Sequence, residues 1–399
     1  MALTLFEQQF CALLSLAMNG GRPAAMITEI SVDWNKMFNF AEKQTVLGVV
    51  YDALSQLPET SLPDRQTRLK WHMQTSRIEM RNERIDKALC TFTKRLKEGG
   101  FNPILLKGQS MASLYPMPNH RQSGDIDFYF PNDCRRANSL VKTWPNTTVG
   151  NREPHHQTFQ CDGVTVENHS SCVVFYNEKN RQAWEQINAT MPVLGEEELF
   201  HVVGDTKVAV PQPQWNVLYI FLHWLHHFTQ TGVGFRQTLD WCIYVRAHHD
   251  EIDWTLFKRQ IEKLRVKRAV CALTYAAVNF LGFSVNDMPP VQIITSEARK
   301  DGHLLISDIF RQGNFGYATA IMKGLKRGSH LHNLGNYYLA MKRLWQLRRF
   351  YPSEIYAYPT HWIREKFNER KSPRKAQSTQ QTSRRRIRLP EVFDLDEDD

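Results

Sequence analysis

"LLKGQSMASLYPMPNHRQSGDIDFYF", residues 105–130, sets two aspartates, Asp125 and Asp127, inside an otherwise apolar strand, with a Lys-Gly-x-Ser turn upstream of them. Successive side chains of a strand alternate faces, so Asp125, Asp127 and Tyr129 point one way and Ile126, Phe128 and Phe130 the other. The apolar face belongs in a core. The opposite face carries two carboxylates one pleat repeat apart, and like charges at that range repel unless a cation sits between them. Hard divalent cations take such oxygen ligands, and Mg²⁺ commonly combines one or two protein carboxylates with substrate phosphates.

A site of that kind needs something to hold the phosphates. Lys107-Gly108-Gln109-Ser110 follows the short strand "NPILLK" and opens a helix. Gly108 lets the backbone approach closely, helix-start N–H groups favour an anion, and Ser110 offers a hydroxyl donor. Lys107 and Arg121 are the charge partners within reach in sequence. A third carboxylate is expected on a neighbouring strand, to share a metal or take the proton of an acceptor hydroxyl. "HHQTFQ-CDG-VTVENH", residues 155–169, reads as a hairpin turning at Asp162-Gly163. On its second strand Val164 and Val166 face the core while Thr165, Glu167 and His169 face away together. Taken singly, each feature has a plain structural reading: acidic pairs end many surface strands, and His169 reads as structural. The order of strand, Gly-Ser turn, helix, acidic strand, helix and second acidic strand is what points to chemistry.

Outward from this core the pattern is helical. Residues 1–98 read as an N-terminal helical region, with helices over 3–18, 33–56 and 66–98, the last ended by Gly99-Gly100. Residues 99–194 form the mixed core, with "NDCRRANSLVKTW" a helix after the acidic strand. Residues 195–355 read as a second helical region, with helices at 214–229, 235–248, 254–263 and 266–281. Residues 356–399 are a charged tail: seven Lys or Arg between 371 and 388 face six acids in the last nine residues. That composition is expected to be disordered and self-compensating.

Bulk properties exclude several classes. With 399 residues the chain holds a sizeable core, and 42% hydrophobic against 23% charged residues is ordinary for a globular protein. Its seven cysteines contain no CxxC pair, which favours reduced thiols over a disulfide framework or zinc ribbon. The N-terminus spaces Leu3, Phe6, Phe10 and Leu14 as a helix face and carries Glu7, unlike a signal peptide. The longest apolar runs are too short to span a bilayer. A cytoplasmic protein without a membrane partner is expected. The net charge of +9 could suggest nucleic acid, but its distribution matters more than its sum, and the basic block of the tail is answered by its acidic end.

The conjunction resembles the DNA polymerase β-like nucleotidyltransferase superfamily, and more closely the bacterial family of uncharacterised nucleotidyltransferases. The resemblance rests on "LKGQSMASLYPMPNHRQSGDIDFYF", "VENH" and "HWLHHFTQTGVGFRQTLDW", and spans roughly residues 30 to 350. It implies an α+β fold: a small mixed-sheet core between N-terminal and C-terminal helical regions. It implies a transferase moving a nucleoside monophosphate, for instance from ATP, to a hydroxyl or phosphate acceptor with loss of pyrophosphate, using Mg²⁺ or Mn²⁺. Carried onto this chain, Asp125 and Asp127 are metal ligands and catalytic, Glu167 is the third acid, and Gly108 and Ser110 form the triphosphate turn. Asn168, between Glu167 and His169, departs from the apolar residue expected there and bears on packing rather than chemistry.

Two features of "HWLHHFTQTGVGFRQTLDW" stay open. His223, His226 and His227 have metal-compatible helical spacing, but their apolar surroundings favour hydrogen-bonded core histidines. Arg236 and Asp240 fall at i,i+4, which suits an ion pair. The resemblance instead puts Arg236 beside the nucleotide. Two other functions remain as alternatives, a non-catalytic nucleotide-binding regulatory module and an RNA-interacting adaptor using the basic tail.

Overall fold

The computed structural model describes residues 3–152, 155–195, 197–313 and 330–360. The chain divides into two units, Met1–Ala357 and Tyr358–Asp399, and the architecture is that of the first. The charged stretch 371–399 lies outside the described residues. The fold is α+β, built on one seven-stranded mixed sheet.

Its strands are β1 (Ile104–Leu105), β2 (Asp125–Tyr129), β3 (Thr147–Arg152), β4 (His156–Cys161), β5 (Val164–His169), β6 (Leu199–Val203) and β7 (Thr206–Val210), in the spatial order β3-β4-β5-β2-β1-β7-β6. β2 runs parallel to β5 and antiparallel to β1, and β1 runs parallel to β7. β4 and β5 form the expected hairpin, in which Asp162 and Gly163 both take positive φ (48° and 75°) as a two-residue primed turn requires.

The alternation within β2 divides its residues between two layers. Ile126, Phe128 and Phe130 are buried with Phe159, Val164 and Val166 against Ile85, Leu89, Phe92 and Leu96 of the long helix Arg65–Glu98, and against Ala137 and Val141 of the helix Cys134–Val141. On the other face Tyr129 stacks on Trp215 of the helix Pro213–Gln230, with ring centroids 6.2 Å apart. The face bearing Asp125 and Asp127 is thereby roofed by helix.

Several elements differ from the sequence reading. The stretch 33–56 is two helices, Trp34–Lys43 and Leu47–Leu54, because Thr45 takes φ 57°, and no Gly or Pro announces that break. The buried side chain of Gln44 holds the break, donating to the Ile309 carbonyl (3.1 Å) and accepting from the Phe235 N–H (3.2 Å). The region from 195 onward is not helical throughout: β6 and β7 extend the sheet to Val210. A strand at 147–152 and a helix at Glu178–Thr190 also lie where no element was expected. Asn168, the off-pattern residue, is fully buried and donates to Asn138 Oδ1 at 2.9 Å, so a polar neighbour on the packed helix accommodates it. Among the described residues no helix is long and apolar enough to cross a membrane.

Candidate functional site

The parallel pairing of β2 with β5 aligns Asp125 with Thr165, Asp127 with Glu167 and Tyr129 with His169. Partners in register share a face, so both strands present their polar side chains to the same side. Asp127 is fully buried. Its Oδ1 accepts from His169 Nε2 at 3.0 Å, and the Lys107 ammonium stands 3.4 Å from Oδ2. That contact lacks hydrogen-bond geometry: Oδ2 has no hydrogen-bond partner among the described residues. His169 Nε2 is also 3.6 Å from Glu167 Oε2.

The titration behaviour follows from this crowding of acids. For Asp125, burial first and then the Asp127 charge push the carboxyl above its usual range, against the pull of Lys107. Burial alone would raise Glu167, but the His169 hydrogen bond, helped by Lys107, brings it below its ordinary value. Burial would lower His169, yet its hydrogen bonds to Asp127 and Glu167 raise it to about 9. Burial likewise opposes the charge on Lys107, and Asp127, Asp125 and Glu167 outweigh it, leaving the amine above its ordinary value.

The donor set suits a hard divalent cation. Asp127, Glu167 and His169 offer ligand atoms within 4.8 Å of one another, the group of this kind found among the described residues. Asp125 lies two residues from Asp127 on the same face, and the orphaned Asp127 Oδ2 calls for a partner. The sequence named Asp125 and Asp127; the compact set instead joins Asp127 and Glu167 with His169, which had read as structural. His169 was findable, since it shares the strand face of Glu167.

A cavity of about 550 Å³ opens over these groups, with Lys107, Gly108, Asp125, Glu167, His169 and Arg236 in its wall. Gly108 has φ 74°, and a Cβ there would meet the Asp125 carbonyl oxygen at 3.3 Å, so the turn lies directly against the acidic strand. The helix it opens is only Gln109–Ala112. Ser110 is half-buried and not part of the cavity wall.

Arg121 reaches the wall, but its guanidinium is already committed. Nε and Nη2 form a two-pronged ion pair with Asp240 (both 2.8 Å), and Nη1 donates to Ser123 Oγ at 3.1 Å. Tyr115 also donates to Asp240 Oδ1, at 2.8 Å. This pair replaces the i,i+4 pair of Arg236 with Asp240. Arg236 instead donates from Nη1 to the Gln122 carbonyl at 2.7 Å, and its Nε has no hydrogen-bond partner among the described residues. Of the two arginines read from sequence, Arg121 is held in an ion pair with Asp240, whereas Arg236 keeps an unpartnered Nε among the described residues. Arg81, which the sequence reading passed over, adds a third arginine to the wall and donates to the Gly124 carbonyl at 3.4 Å.

The roof is the helix Pro213–Gln230. Lys107 Nζ lies 3.3 Å from His223 Nε2. Burial, then the Lys107 charge, then His227 and His226 hold His223 well below its usual value, so its neutral ring accepts the ammonium proton. Burial above all lowers His226 to about 4 and His227 to about 3. These histidines line the cavity as half-buried neutral rings, and they do not converge as a metal-ligand group.

The family model described as "Uncharacterised nucleotidyltransferase" matches residues 31–282, which contain the acidic strands, the Gly108 turn and the roofing helix. The chain belongs to that family. The nucleotidyltransferase match runs from the first helical region through the whole sheet and into the helices that cover it. No curated protein and no solved structure is matched by this chain.

Proposed function

We propose that the protein transfers a nucleoside monophosphate from a nucleoside triphosphate to an acceptor hydroxyl or phosphate, with release of pyrophosphate. The observation that carries this reading is the register of β2 on β5, which sets Asp127 beside Glu167 and His169 beneath the Gly108 turn. Asp125, Asp127 and Glu167 would hold Mg²⁺ or Mn²⁺, which when bound would neutralise charge on the triphosphate and on the leaving pyrophosphate.

The chain's own groups do the rest. Gly108 brings the turn's backbone close to the phosphates, with Lys107 and Arg236 supplying positive charge to their oxygens. Arg121 acts indirectly: tied to Asp240, it fixes the segment that leads into β2. Glu167, held ionised by His169, accepts the proton of the acceptor hydroxyl as its oxygen forms a bond to the α-phosphorus. The bond from that phosphorus to the bridging oxygen breaks, and the electron pair leaves with pyrophosphate. His169 orients Asp127 through its Nε2 hydrogen bond and stands beside Glu167 at 3.6 Å.

The test is a melting series with ATP, GTP, CTP and UTP, each with and without Mg²⁺ or Mn²⁺, on the wild type and on Asp125→Asn/Asp127→Asn. Ligand at a hundred times its dissociation constant stabilises a fold by about 2.7 kcal/mol, a shift of several degrees. A metal-dependent shift lost in the double variant supports the reading. If the wild type responds to no nucleotide, the assignment is wrong. Binding without pyrophosphate release across a panel of hydroxyl and phosphate acceptors would leave a nucleotide-binding module in place of a transferase.

A further inference from the structure

Tyr219 lies one turn before His223 on the Pro213–Gln230 helix and lines the cavity with Asp125 and Glu167. The residue is 1% exposed, and its hydroxyl has no hydrogen-bond partner among the described residues. Such an orphan is costly in a folded interior and calls for a reason. A wandering side chain is not the reason. Trp215 stacks on the ring at 5.1 Å with planes 26° apart, and His223 flanks it at 5.8 Å, so the hydroxyl is held where it is.

Its surroundings say what it waits for. Burial first, then the neighbouring Cys172, Asp127, Asp125 and Glu167, push the phenol well up, so the hydroxyl keeps its proton and offers a donor. Those carboxylates are near enough to act on the ring electrostatically, yet none is within hydrogen-bond reach of the hydroxyl. Tyr219, Cys172, Asp125 and Glu167 all line the one cavity. On the next turn His223 holds Lys107, the ammonium that faces the same acids. A phosphate oxygen lying between the roof and the acidic strands would find the Lys107 charge on one side and the Tyr219 proton on the other.

We infer that Tyr219 is a ligand-contacting residue whose hydroxyl donates to a phosphate oxygen of the bound nucleoside triphosphate. The inference rests on the nucleotide reading of the site and adds to it a neutral donor from the roof. Strand-face reasoning finds acids on the sheet and does not look for this group on the covering helix.

The test compares the wild type with Tyr219→Phe, which removes the hydroxyl and leaves the ring. Binding is measured calorimetrically for each of ATP, GTP, CTP and UTP with Mg²⁺ or Mn²⁺, and for inorganic tripolyphosphate with the same metals. Melting temperature is measured without ligand. Two effects of opposite sign are expected. The free variant melts about one to two degrees higher, because a buried orphan is gone. Its dissociation constants for the metal-loaded nucleotide and for tripolyphosphate both rise about tenfold, because a donor to a charged oxygen is lost.

Unchanged dissociation constants in a variant of normal fold would overturn the inference while leaving the nucleotide site intact. A lower melting temperature or loss of folding would also overturn it, by showing the hydroxyl to be satisfied in the free protein. Weaker nucleotide binding with unaltered tripolyphosphate binding would place the contact on the nucleoside and refute the phosphate assignment. A wild type that binds no nucleotide with any metal removes the underlying reading, and the Tyr219 role falls with it.

Discussion

At the scale of single residues, Gly108 shows how closely the phosphate turn is fitted to the acidic strand. Its φ of 74° is in the left-handed region that side chains disfavour, and an added Cβ would press on the Asp125 carbonyl oxygen at 3.3 Å. Gly108→Ala should therefore destabilise the fold by about 1–2 kcal/mol, read from the urea midpoint. It should also weaken metal-dependent nucleotide binding, because the turn can relieve the contact only by moving off the strand. A variant as stable as the wild type with unchanged nucleotide affinity would show that the turn is not held against Asp125. Gly108 was legible in sequence as a residue lying before a helix and after a strand. Ser110 was legible by the same argument, but it is not part of the cavity wall.

Among elements, the segment between the turn and β2 is the part that must be fixed for Asp125 and Asp127 to face the cavity. Asn82 of the long helix donates to the carbonyls of Asn119 (2.7 Å) and Arg121 (2.9 Å), and accepts from the Ser123 N–H (3.3 Å). Arg121 then pins the segment to the helix Phe235–Ala247 through Asp240. Breaking a buried pair by removing one partner leaves an uncompensated charge, which costs about 3–5 kcal/mol. Arg121→Met and Asp240→Leu should each lose that much in denaturant unfolding. The double variant should lose clearly less than their sum, and strict additivity would mean that the two side chains do not act as a pair. This pair could not be read from the sequence. Arg236 stands four residues from Asp240 on the same helix and is the nearer partner by spacing, whereas Arg121 reaches Asp240 only through tertiary folding. The same limit explains β6 and β7. A two-residue Gly204-Asp205 turn between apolar runs was a hairpin signal, but the stretch adjoins long helical patterns and only its pairing through β1 makes it part of the sheet. By contrast β2, β4 and β5 were legible because alternation of apolar and polar residues is a local signal, and the face shared by Asp125, Asp127 and Glu167 follows from it.

Across the whole molecule, His120 joins three distant segments near the entrance to β2. Its Nδ1 is 2.5 Å from Asp52 Oδ1 of the helix Leu47–Leu54, and its Nε2 is 3.0 Å from Glu79 Oε1 of the long helix. Gly48 packs on the same residue, since a Cβ there would lie 2.4 Å from the His120 carbonyl oxygen. Burial would lower the imidazole, but the hydrogen bonds and charges of Asp52 and then Glu79 raise it above its ordinary 6.5. For Asp52 the balance differs: burial outweighs His120 and raises the carboxyl above its ordinary 3.8. The two shifts have the same sign. A raised histidine contributes stability that is complete below about pH 6.5 and is lost as pH climbs through its folded-state value. A raised carboxyl contributes stability at acid pH that is lost as pH rises through its own folded value. Both contributions decline as pH rises, and from about pH 6.5 upward the contribution of His120 should decline. His120→Gln keeps a polar side chain without the titration. It should lower stability most at pH 6 and progressively less toward pH 9, with the difference followed by urea unfolding at each pH. A difference that stays constant from pH 6 to pH 9 would mean that His120 is neutral in the folded protein. The junction of the N-terminal helices with the sheet would then depend on neutral hydrogen bonds and packing, without a charged imidazolium between two acids.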